Sequence, residues 1–317
     1  MTGPLRVGTR ASALALTQTT TVAERISELS GAAHELVRIR TEGDVHKGSL
    51  TQIGGTGVFV AALRDALLED RCDLAVHSLK DLPTSPAEGL SIAAIPERAD
   101  TRDALCARDS LTLATLPDGA TVGTGSPRRA AQLRAARPGL TVIDIRGNVD
   151  TRLGRVSGLT DAGPGDLDAV VLAAAGLYRL GRDHLITELI DPAVMLPAPG
   201  QGALAVECRT PDASASALAA ALNDYDDVPT RLAVTAERAV LRRLEAGCSA
   251  PIGALATVID GVLGLQAVVC SLDGTKLLRL ARSGRELTVE GADALGVALA
   301  EDLLDAGAAA VAPLTAR

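Results

Sequence analysis

Two arginines follow a predicted helix start in the segment GTGSPRRAAQL. Ser126 is a good N-cap residue and Pro127 suits the first helical position, which places Arg128 and Arg129 in the first turn. Each cation there interacts unfavourably with the helix dipole and lowers the stability of the helix by about 0.3–1 kcal/mol. A bound anion reverses this effect, because backbone N–H groups and two guanidinium groups then attract it. The segment predicts an anion site, with two solvated surface arginines as the alternative.

Two other predicted strand-to-helix junctions also carry arginine. GTRASALAL places Arg10 just before the candidate N-cap Ser12. DIRGNVDTRL ends a strand with Arg146, and Arg152 follows one turn into the next helix, which starts near Asn148. Arginine suits planar, bidentate binding of carboxylates, although lysine is rare throughout this chain. The recurrence at three junctions therefore favours a small substrate with several carboxylates.

The segment HSLKDLPT combines a carboxylate with cationic and hydroxyl groups after an apolar strand. Ser78, Lys80 and Asp81 follow the end of that strand, where ligands of open α/β sheets usually bind. An ionised Asp81 can stabilise a cationic intermediate and accept or deliver protons. A surface ion pair between Lys80 and Asp81 is the alternative, and His77 is expected to pack within the strand.

Cys248 is the best nucleophile candidate among the cysteines. It lies in the glycine-bounded loop EAGCSAPIG after a predicted helix, whereas Cys208 and Cys270 lie inside apolar strands. The five cysteines form an odd set without a CxxC pair or a histidine at zinc-ligand spacing, so neither a disulfide framework nor a metal site is expected. No Ser–His–Asp or Cys–His pairing is recognisable, and GGTG is not a phosphate-binding loop because no GK[ST] follows.

The predicted elements that carry these residues alternate between strands and helices, as in βαβ units. Strands are expected at residues 5–8, 35–41, 73–77, 90–95, 121–124, 140–145, 168–173 and 204–208. Helices are expected at residues 12–29, 58–69, 126–137, from 148 and at 229–246. About three strands between residues 253 and 283 and a helix near 292–306 then suggest a small α+β domain.

Composition narrows the class of protein. With 317 residues and 47% hydrophobic residues, the chain predicts two or three packed domains. Aromatic residues make up 1% and the net charge is −8, which argues against base stacking and against binding to nucleic acid or acidic membranes. No segment reads as a signal peptide or a transmembrane helix, so a cytoplasmic protein is expected.

Seven segments, in order along nearly the whole chain, resemble the porphobilinogen deaminase family, whose members are also called hydroxymethylbilane synthases. The segments are VGTRASALAL, HSLKDLPT, GTGSPRRAAQL, RGNVDTRL, LAAAGLYRLG, LPAPGQGALAVECR and LEAGCSAPIG. The resemblance implies an α/β protein with two domains like the lobes of type II periplasmic binding proteins and a small α+β C-terminal domain. The expected boundaries are 1–98 with 202–224, then 99–201, then 225–317.

The resemblance also implies the reaction, a transfer in tetrapyrrole biosynthesis. Four porphobilinogen molecules condense head to tail with loss of ammonia and give hydroxymethylbilane, starting from a dipyrromethane primer joined to Cys248 by a thioether. Asp81 is implied as the catalytic carboxylate that promotes deamination and stabilises the azafulvene-like cation. The partners are then porphobilinogen and the growing polypyrrole chain, with no nucleic acid or membrane, and the protein is expected to be a monomer.

Matching motifs extend the implied site to two further sets of residues. The cofactor-binding set is Cys248, Ser78, Lys80, Asp81, Thr124, Ser126, Arg128, Arg129, Arg146 and Gly147. The substrate-binding set is Arg10, Ser12, Arg146, Arg152 and Arg179. Both sets offer guanidinium groups to the acetate and propionate side chains of the pyrroles.

The chain departs from the family pattern in two places. Gln52 and Thr56 occupy a loop in which relatives commonly carry lysines around a GGKG-like segment, and many relatives have serine at Gly125 and another residue at Pro127. A solute-binding protein and a ligand-sensing regulator are rival interpretations, because both reuse the two-lobed fold. The absence of an export signal and the presence of Cys248 count against the first, and the absence of a helix-turn-helix or basic stripe counts against the second.

Overall fold

The structure is a computed structural model that describes residues 3–39, 57–213, 217–244 and 250–314. The chain forms two compact units: Met1–Arg98 with Ala203–Arg231, and Ala99–Gly202 with Leu232–Arg317. The described strands are β1 Leu5–Thr9, β2 His34–Arg38, β3 Leu74–Ser78, β4 Leu90–Ala94, β5 Asp103–Ala107, β6 Thr121–Gly123, β7 Thr141–Ile143, β8 Ala169–Ala173, β9 Glu188–Leu189, β10 Leu204–Arg209, β11 Ile252–Ile259, β12 Val262–Cys270 and β13 Leu277–Gly284. The described α-helices are α1 Ala13–Ser30, α2 Gly57–Leu68, α3 Pro127–Ala136, α4 Val149–Leu153, α5 Ala174–Arg179, α6 Ala217–Tyr225, α7 Val228–Arg243, α8 Val289–Asp305 and α9 Ala308–Val311.

The first unit contains a five-stranded sheet in the order β2-β1-β3-β10-β4. β1 pairs in parallel with β2 and β3, and β10 runs antiparallel to both β3 and β4. Alternate strand residues such as Leu5, Val7 and Leu74 pack with Val22 and Ile26 of α1 in one core. Because β1 and β3 are parallel neighbours, the residues that follow them lie at the same edge of this sheet.

The second unit contains a sheet of the same pattern, in the order β7-β6-β8-β5-β9. β6 pairs in parallel with β7 and β8, while β5 runs antiparallel to β8 and β9. Apolar residues cover both faces: Leu105 and Leu133 belong to the core on one face, and Cys106 and Leu177 to the core on the other. A sheet covered on both faces is typical of α/β folds.

The same unit also contains a three-stranded antiparallel sheet in the order β11-β12-β13. Leu265 of β12 shares a core with Val240 of α7 and Leu299 of α8. Gly296 permits the two helices to approach closely, because a Cβ there would lie 2.3 Å from the carbonyl oxygen of Ala236. This part of the chain is the small α+β module that the sequence predicts.

The structure confirms the α/β class and most of the predicted elements, with boundaries shifted by a few residues. It adds five strands and helices that the sequence patterns do not reveal: β5, β9, α5, α6 and α9. All five residues of β5 are buried, so the strand lacks the alternation of apolar and polar residues that marks a half-buried strand. The predicted helix at 229–246 ends at Arg243 within the described residues, and the three-domain boundaries stay a prediction. None of the helices described here is long and apolar enough to cross a membrane.

Candidate functional site

A single 3₁₀ turn, Leu79–Asp81, carries the proposed catalytic carboxylate at the end of β3. Leu79 is fully buried and its backbone N–H donates to the carbonyl oxygen of Ala203 at 3.0 Å. Ser78 Oγ donates to Gln18 Oε1 of α1 at 3.2 Å. With its neighbours anchored in this way, Asp81 stands exposed at the edge of the sheet, next to the half-buried Lys80. The catalytic role of Asp81 stays a prediction.

A largely buried group of ionisable residues lies behind this turn. His77 is buried in β3, as the sequence predicts, and its Nε2 lies 3.2 Å from Glu207 Oε2 of β10. Arg64 of α2 donates to Glu207 Oε1 through Nη2 at 2.9 Å and through Nε at 3.1 Å. Burial opposes ionisation of Glu207, but the contacts with His77 and Arg64 outweigh it and hold the pKa of that carboxyl below its usual range. The group ties α2, β3 and β10 together beneath Asp81.

The residues that follow β1 lie at the same edge of the sheet as Asp81. Ser12 caps α1 as predicted, because its Oγ accepts from the backbone N–H of Ala15 at 3.3 Å. Arg10 immediately follows β1, and β1 pairs in parallel with β3 through Val7 and Gly8. Arg10 and Ser12 are therefore brought to the part of the first unit that carries Ser78, Lys80 and Asp81.

The second unit builds its candidate site around the start of α3. Ser126 Oγ accepts from the backbone N–H of Arg129 at 3.4 Å and Pro127 takes the first helical position, as the sequence predicts. Thr124 is buried, and its Oγ1 accepts from the backbone N–H of Ser126 at 3.3 Å. Gly125 lies close to the chain that follows β7, since a Cβ there would be 2.5 Å from the carbonyl oxygen of Ile145. Serine, the common residue of relatives, would need that backbone to shift.

Arg128 and Arg129 face an internal anion that sequence reasoning missed. Both are buried, and Asp103, the first residue of β5, accepts from Arg128 Nη1 at 2.8 Å and from Arg129 Nε at 2.9 Å. The alternative of two solvated surface arginines is therefore wrong, and an internal carboxylate already balances part of their charge at the helix start. Their proposed part in cofactor binding stays a prediction. Asp103 stands 25 residues before Arg128, so only tertiary structure reveals the pair.

Arg152 and Arg146 form the more open part of this cationic region. Arg152 Nε donates to the carbonyl oxygen of Gly147 at 2.8 Å, and Asn148 caps α4 by accepting from the Thr151 N–H. Burial lowers the pKa of Arg152, and repulsion from Arg129 and Arg146 lowers it further. Arg146 is exposed and lies 3.4 Å from Asp144. No carboxylate of the described residues pairs with Arg152.

A cavity of about 280 Å³ opens beside this region. Thr124, Ser126, Arg134 and Arg146 line it with polar groups, and Leu272 adds an apolar wall. Gly147 adopts a φ of +108°, and a Cβ there would lie 2.8 Å from Thr151 Cγ2, so glycine fits this turn best. The cavity presents hydroxyl and guanidinium groups, together with the carboxylate of Asp144, to a ligand.

Arg179 lies at the end of α5. Its Nη2 donates to the carbonyl oxygen of Gly202 at 2.7 Å. Gly202 has a φ of +88°, and a Cβ there would lie 2.5 Å from the carbonyl oxygen of Ala99. Arg179 thus supports the segment formed by residues 197–202, while its role toward substrate stays a prediction.

Three residues singled out in the sequence lie outside the described residues: Cys248, Gln52 and Thr56. The other four cysteines, Cys72, Cys106, Cys208 and Cys270, are all fully buried. Burial is the main cause that raises the pKa of Cys72, Cys208 and Cys270 to about 11 and that of Cys106 to about 12. Thiolate is the reactive form, so these four thiols are poor nucleophiles at neutral pH.

Iodoacetamide at neutral pH should therefore leave all four buried cysteines unmodified in the native protein, and peptide mass mapping measures the outcome. The same treatment in guanidinium chloride is the control and should modify all four. Rapid native labelling of any of the four would contradict the buried, protonated state described above.

The chain matches two family models. Residues 5–217 match “Porphobilinogen deaminase, dipyromethane cofactor binding domain”, and residues 231–305 match “Porphobilinogen deaminase, C-terminal domain”. A protein named porphobilinogen deaminase from Micrococcus luteus is 59% identical over 94% of this chain and 86% of its own length. Another of that name from Cutibacterium acnes is 57% identical over 98% of both chains.

Solved structures show weaker similarity. Protein PG110 from Staphylococcus aureus is 13% identical, with a TM-score of 0.42 over 74% of this chain and 91% of its own. The BenM effector binding domain with benzoate is also 13% identical, with a TM-score of 0.40 over 71% of this chain and 92% of its own.

Proposed function

This chain belongs to the porphobilinogen deaminase family, and we propose that it condenses four porphobilinogen molecules head to tail, releasing ammonia, to form hydroxymethylbilane. The family relationship covers nearly the whole chain and includes the domain that binds the dipyrromethane cofactor. The single structural observation that carries the proposal is the excess of positive charge around Arg152. Substrate and product both bear carboxylates on every pyrrole, so an enzyme for them needs such a region.

The described residues fit an acidic dipyrromethane. The four guanidinium groups of Arg128, Arg129, Arg146 and Arg152 outnumber the two carboxylates that the described residues place against them, those of Asp103 and Asp144. Arg128 Nε is buried and has no hydrogen-bond partner among the described residues. A buried donor without a partner costs roughly 1–3 kcal/mol, so a ligand that accepts from it is stabilised. We propose that these arginines, with Thr124, Ser126 and Gly147, bind acetate and propionate groups of the cofactor.

We further propose that the chain attaches this cofactor through Cys248. When bound, the cofactor supplies the pyrrole ring to which the first substrate is joined. The raised pKa values of the four buried cysteines support Cys248 as the attachment residue, since a nucleophilic thiol must ionise. A thioether from Cys248 would hold the cofactor on the chain during elongation.

In the first unit, Asp81 acts as the catalytic carboxylate. Its exposed position at the sheet edge lets it stabilise the positive charge that develops on a substrate as ammonia leaves. Ser78 and Lys80 adjoin it and contact the cofactor, while Arg10 and Ser12 bind substrate carboxylates from the end of β1. In the second unit Arg146, Arg152 and Arg179 complete the substrate set.

The finer organisation is also proposed. The protein comprises three domains, at residues 1–98 with 202–224, 99–201 and 225–317. Three separate sheets support this division, and so does the C-terminal family model, which begins at residue 231. The enzyme works in the cytoplasm as a monomer, with porphobilinogen and the growing polypyrrole chain as its partners. The net charge of −8 supports the lack of nucleic acid and acidic membranes among them.

Limiting porphobilinogen should produce a ladder of masses on the intact protein, and this experiment tests the proposed function. We expect denaturing mass spectrometry to show species heavier by successive pyrrole units, followed by release of hydroxymethylbilane. The physical reason is the covalent tether, which retains the chain until elongation is complete. A protein that consumes porphobilinogen without any bound increments would contradict the proposal.

Arg152→Leu should shorten this ladder, because it removes a guanidinium that forms no ion pair with a described carboxylate and that Arg129 and Arg146 repel. Arg155→Leu is the matched control: Arg155 lies in the same unit, but the carboxylate of Asp166 already pairs with it. We expect at least a tenfold slower appearance of the heavier species for Arg152→Leu only, the effect of about 1.4 kcal/mol. If the heavier species appear at the same rate in both variants, Arg152 does not belong to the proposed substrate-binding residues.

A further inference from the structure

Asp103 joins three segments of the second unit through a single buried carboxylate. It is 0% exposed and accepts from Arg128 Nη1 at 2.8 Å, from Arg129 Nε at 2.9 Å and from Gln201 Nε2 at 2.9 Å. It begins β5 opposite Ala173, the last residue of β8. Asp103 therefore lies at the end of this sheet from which α5 continues.

The charge on Asp103 is maintained by its partners. Burial alone opposes ionisation, but the positive charges of Arg128 and Arg129 outweigh burial and hold the pKa of Asp103 below its usual range. The same carboxylate fixes both guanidinium planes, since Arg128 Nη1 also donates to the carbonyl oxygen of Leu196 and Arg129 Nη1 to that of Val171. Few orientations of either side chain satisfy all of these bonds.

The network continues from Asp103 into the 197–202 segment and beyond it. Gln201 Nε2 also donates to the carbonyl oxygen of Thr101 at 2.8 Å. The adjacent Gly200 N–H donates to Glu237 Oε2 at 2.6 Å, and Ala256 N–H donates to Glu237 Oε1 at 2.8 Å. Glu237 lies on α7, the helix that precedes Cys248 in the sequence. Buried hydrogen bonds thus link the two arginines, the 197–202 segment and the C-terminal sheet.

We infer that Asp103 is a positioning residue for the cofactor site: it orients Arg128 and Arg129 and, through Gln201, ties them to the 197–202 segment. The inference rests on the proposed function, because it assigns the remaining donors of these arginines to cofactor carboxylates. Arg128 supplies the independent observation, since its buried Nε stays without a described partner while Nη1 is held by Asp103 and Leu196. Asp103 thereby holds the Nη1 end of the Arg128 guanidinium group, and Nε remains for a ligand.

Asp103→Asn tests the inference, because it keeps the shape of the side chain and removes its charge. Asp168→Asn is the matched control: Asp168 pairs with Arg108 in the same unit and supports the opposite end of β5 and β8, where Arg108 N–H donates to its carbonyl oxygen. For Asp103→Asn we expect folded protein by circular dichroism, with the primer-bearing fraction at least tenfold lower by intact mass. Asp168→Asn should carry the primer as wild type does.

A second variant decides the question if Asp103→Asn does not fold. Gln201→Met removes one donor to Asp103 and leaves both ion pairs in place. It should lower the primer-bearing fraction of the folded protein about tenfold by intact mass, with kcat per primed molecule nearly unchanged. Full priming of folded Asp103→Asn or of folded Gln201→Met would overturn the inference. Failure of the proposed function is distinct, because the wild type itself would then lack primer and turnover.

Discussion

Asp81→Asn should lower kcat by about 10²–10³-fold while the protein stays folded and primed. Loss of one preorganised group that stabilises developing charge has an effect of this size in other enzymes, equivalent to about 2.7–4 kcal/mol. The substitution keeps the size of the side chain and removes the negative charge that we propose stabilises the developing cation. Asp81 is exposed in a turn whose anchor is the buried Leu79, so the fold does not depend on its carboxylate. Turnover of porphobilinogen under saturating substrate measures the effect.

Asp65→Asn provides the matched control for this result. Asp65 is an exposed residue of α2, so the variant loses the same charge from the surface of the same unit. It should retain wild-type kcat. Intact mass must show the primer in both variants, so that slow chemistry is separated from failed priming. Near-normal turnover of primed Asp81→Asn would remove Asp81 from the mechanism.

Cys248→Ser should abolish both priming and turnover. The wild-type chain of 32.3 kDa should be heavier by one dipyrromethane under denaturing conditions, and the variant should show the mass of the polypeptide alone. A serine hydroxyl is a far weaker nucleophile than a thiolate at neutral pH, so it does not replace the thioether. The measurement requires no activity, which separates attachment from catalysis.

Cys270→Ser is the control for the cysteine prediction. Cys270 is fully buried at the end of β12, and burial raises the pKa of its thiol to about 11. This variant should retain the primer even if burying a hydroxyl there lowers the stability of the fold. A fully active wild-type preparation without the mass increment would refute the covalent primer.

The local signals in the sequence correctly predict the helix starts that carry the candidate residues. Ser12, Ser126 and Asn148 all cap helices, because cap chemistry depends on neighbours within a few residues. The placement of Asp81 after β3 follows from the same kind of local pattern. Adjacent parallel strands then bring Arg10 and Asp81 to one edge of a sheet, which the βαβ rhythm already suggests.

The features that sequence reasoning missed depend on contacts between distant residues. β5 is buried on both faces and shows no alternation, and Asp103 at its start resembles an ordinary loop residue after TR. Its partners Arg128 and Gln201 lie 25 and 98 residues away. The sequence signal that indicates this ion pair is weak: an aspartate at the start of an apolar run and a pair of arginines elsewhere in the chain. The prediction of the substrate and the primer rests on the family resemblance. Guanidinium groups alone indicate that a ligand carries carboxylates, but they do not indicate pyrrole rings.

The scarcity of aromatic residues gives this chain a simple intrinsic fluorescence. It has no tryptophan and two tyrosines, of which Tyr178 belongs to one compact unit and Tyr225 to the other. Tyr225 packs against the core that contains Leu5 and Val7, whereas Tyr178 is 44% exposed. Without indole to accept excitation energy, each phenol emits as a reporter of its own surroundings. Substitution of either tyrosine with phenylalanine leaves a single tyrosine, whose emission follows the unfolding of one unit alone.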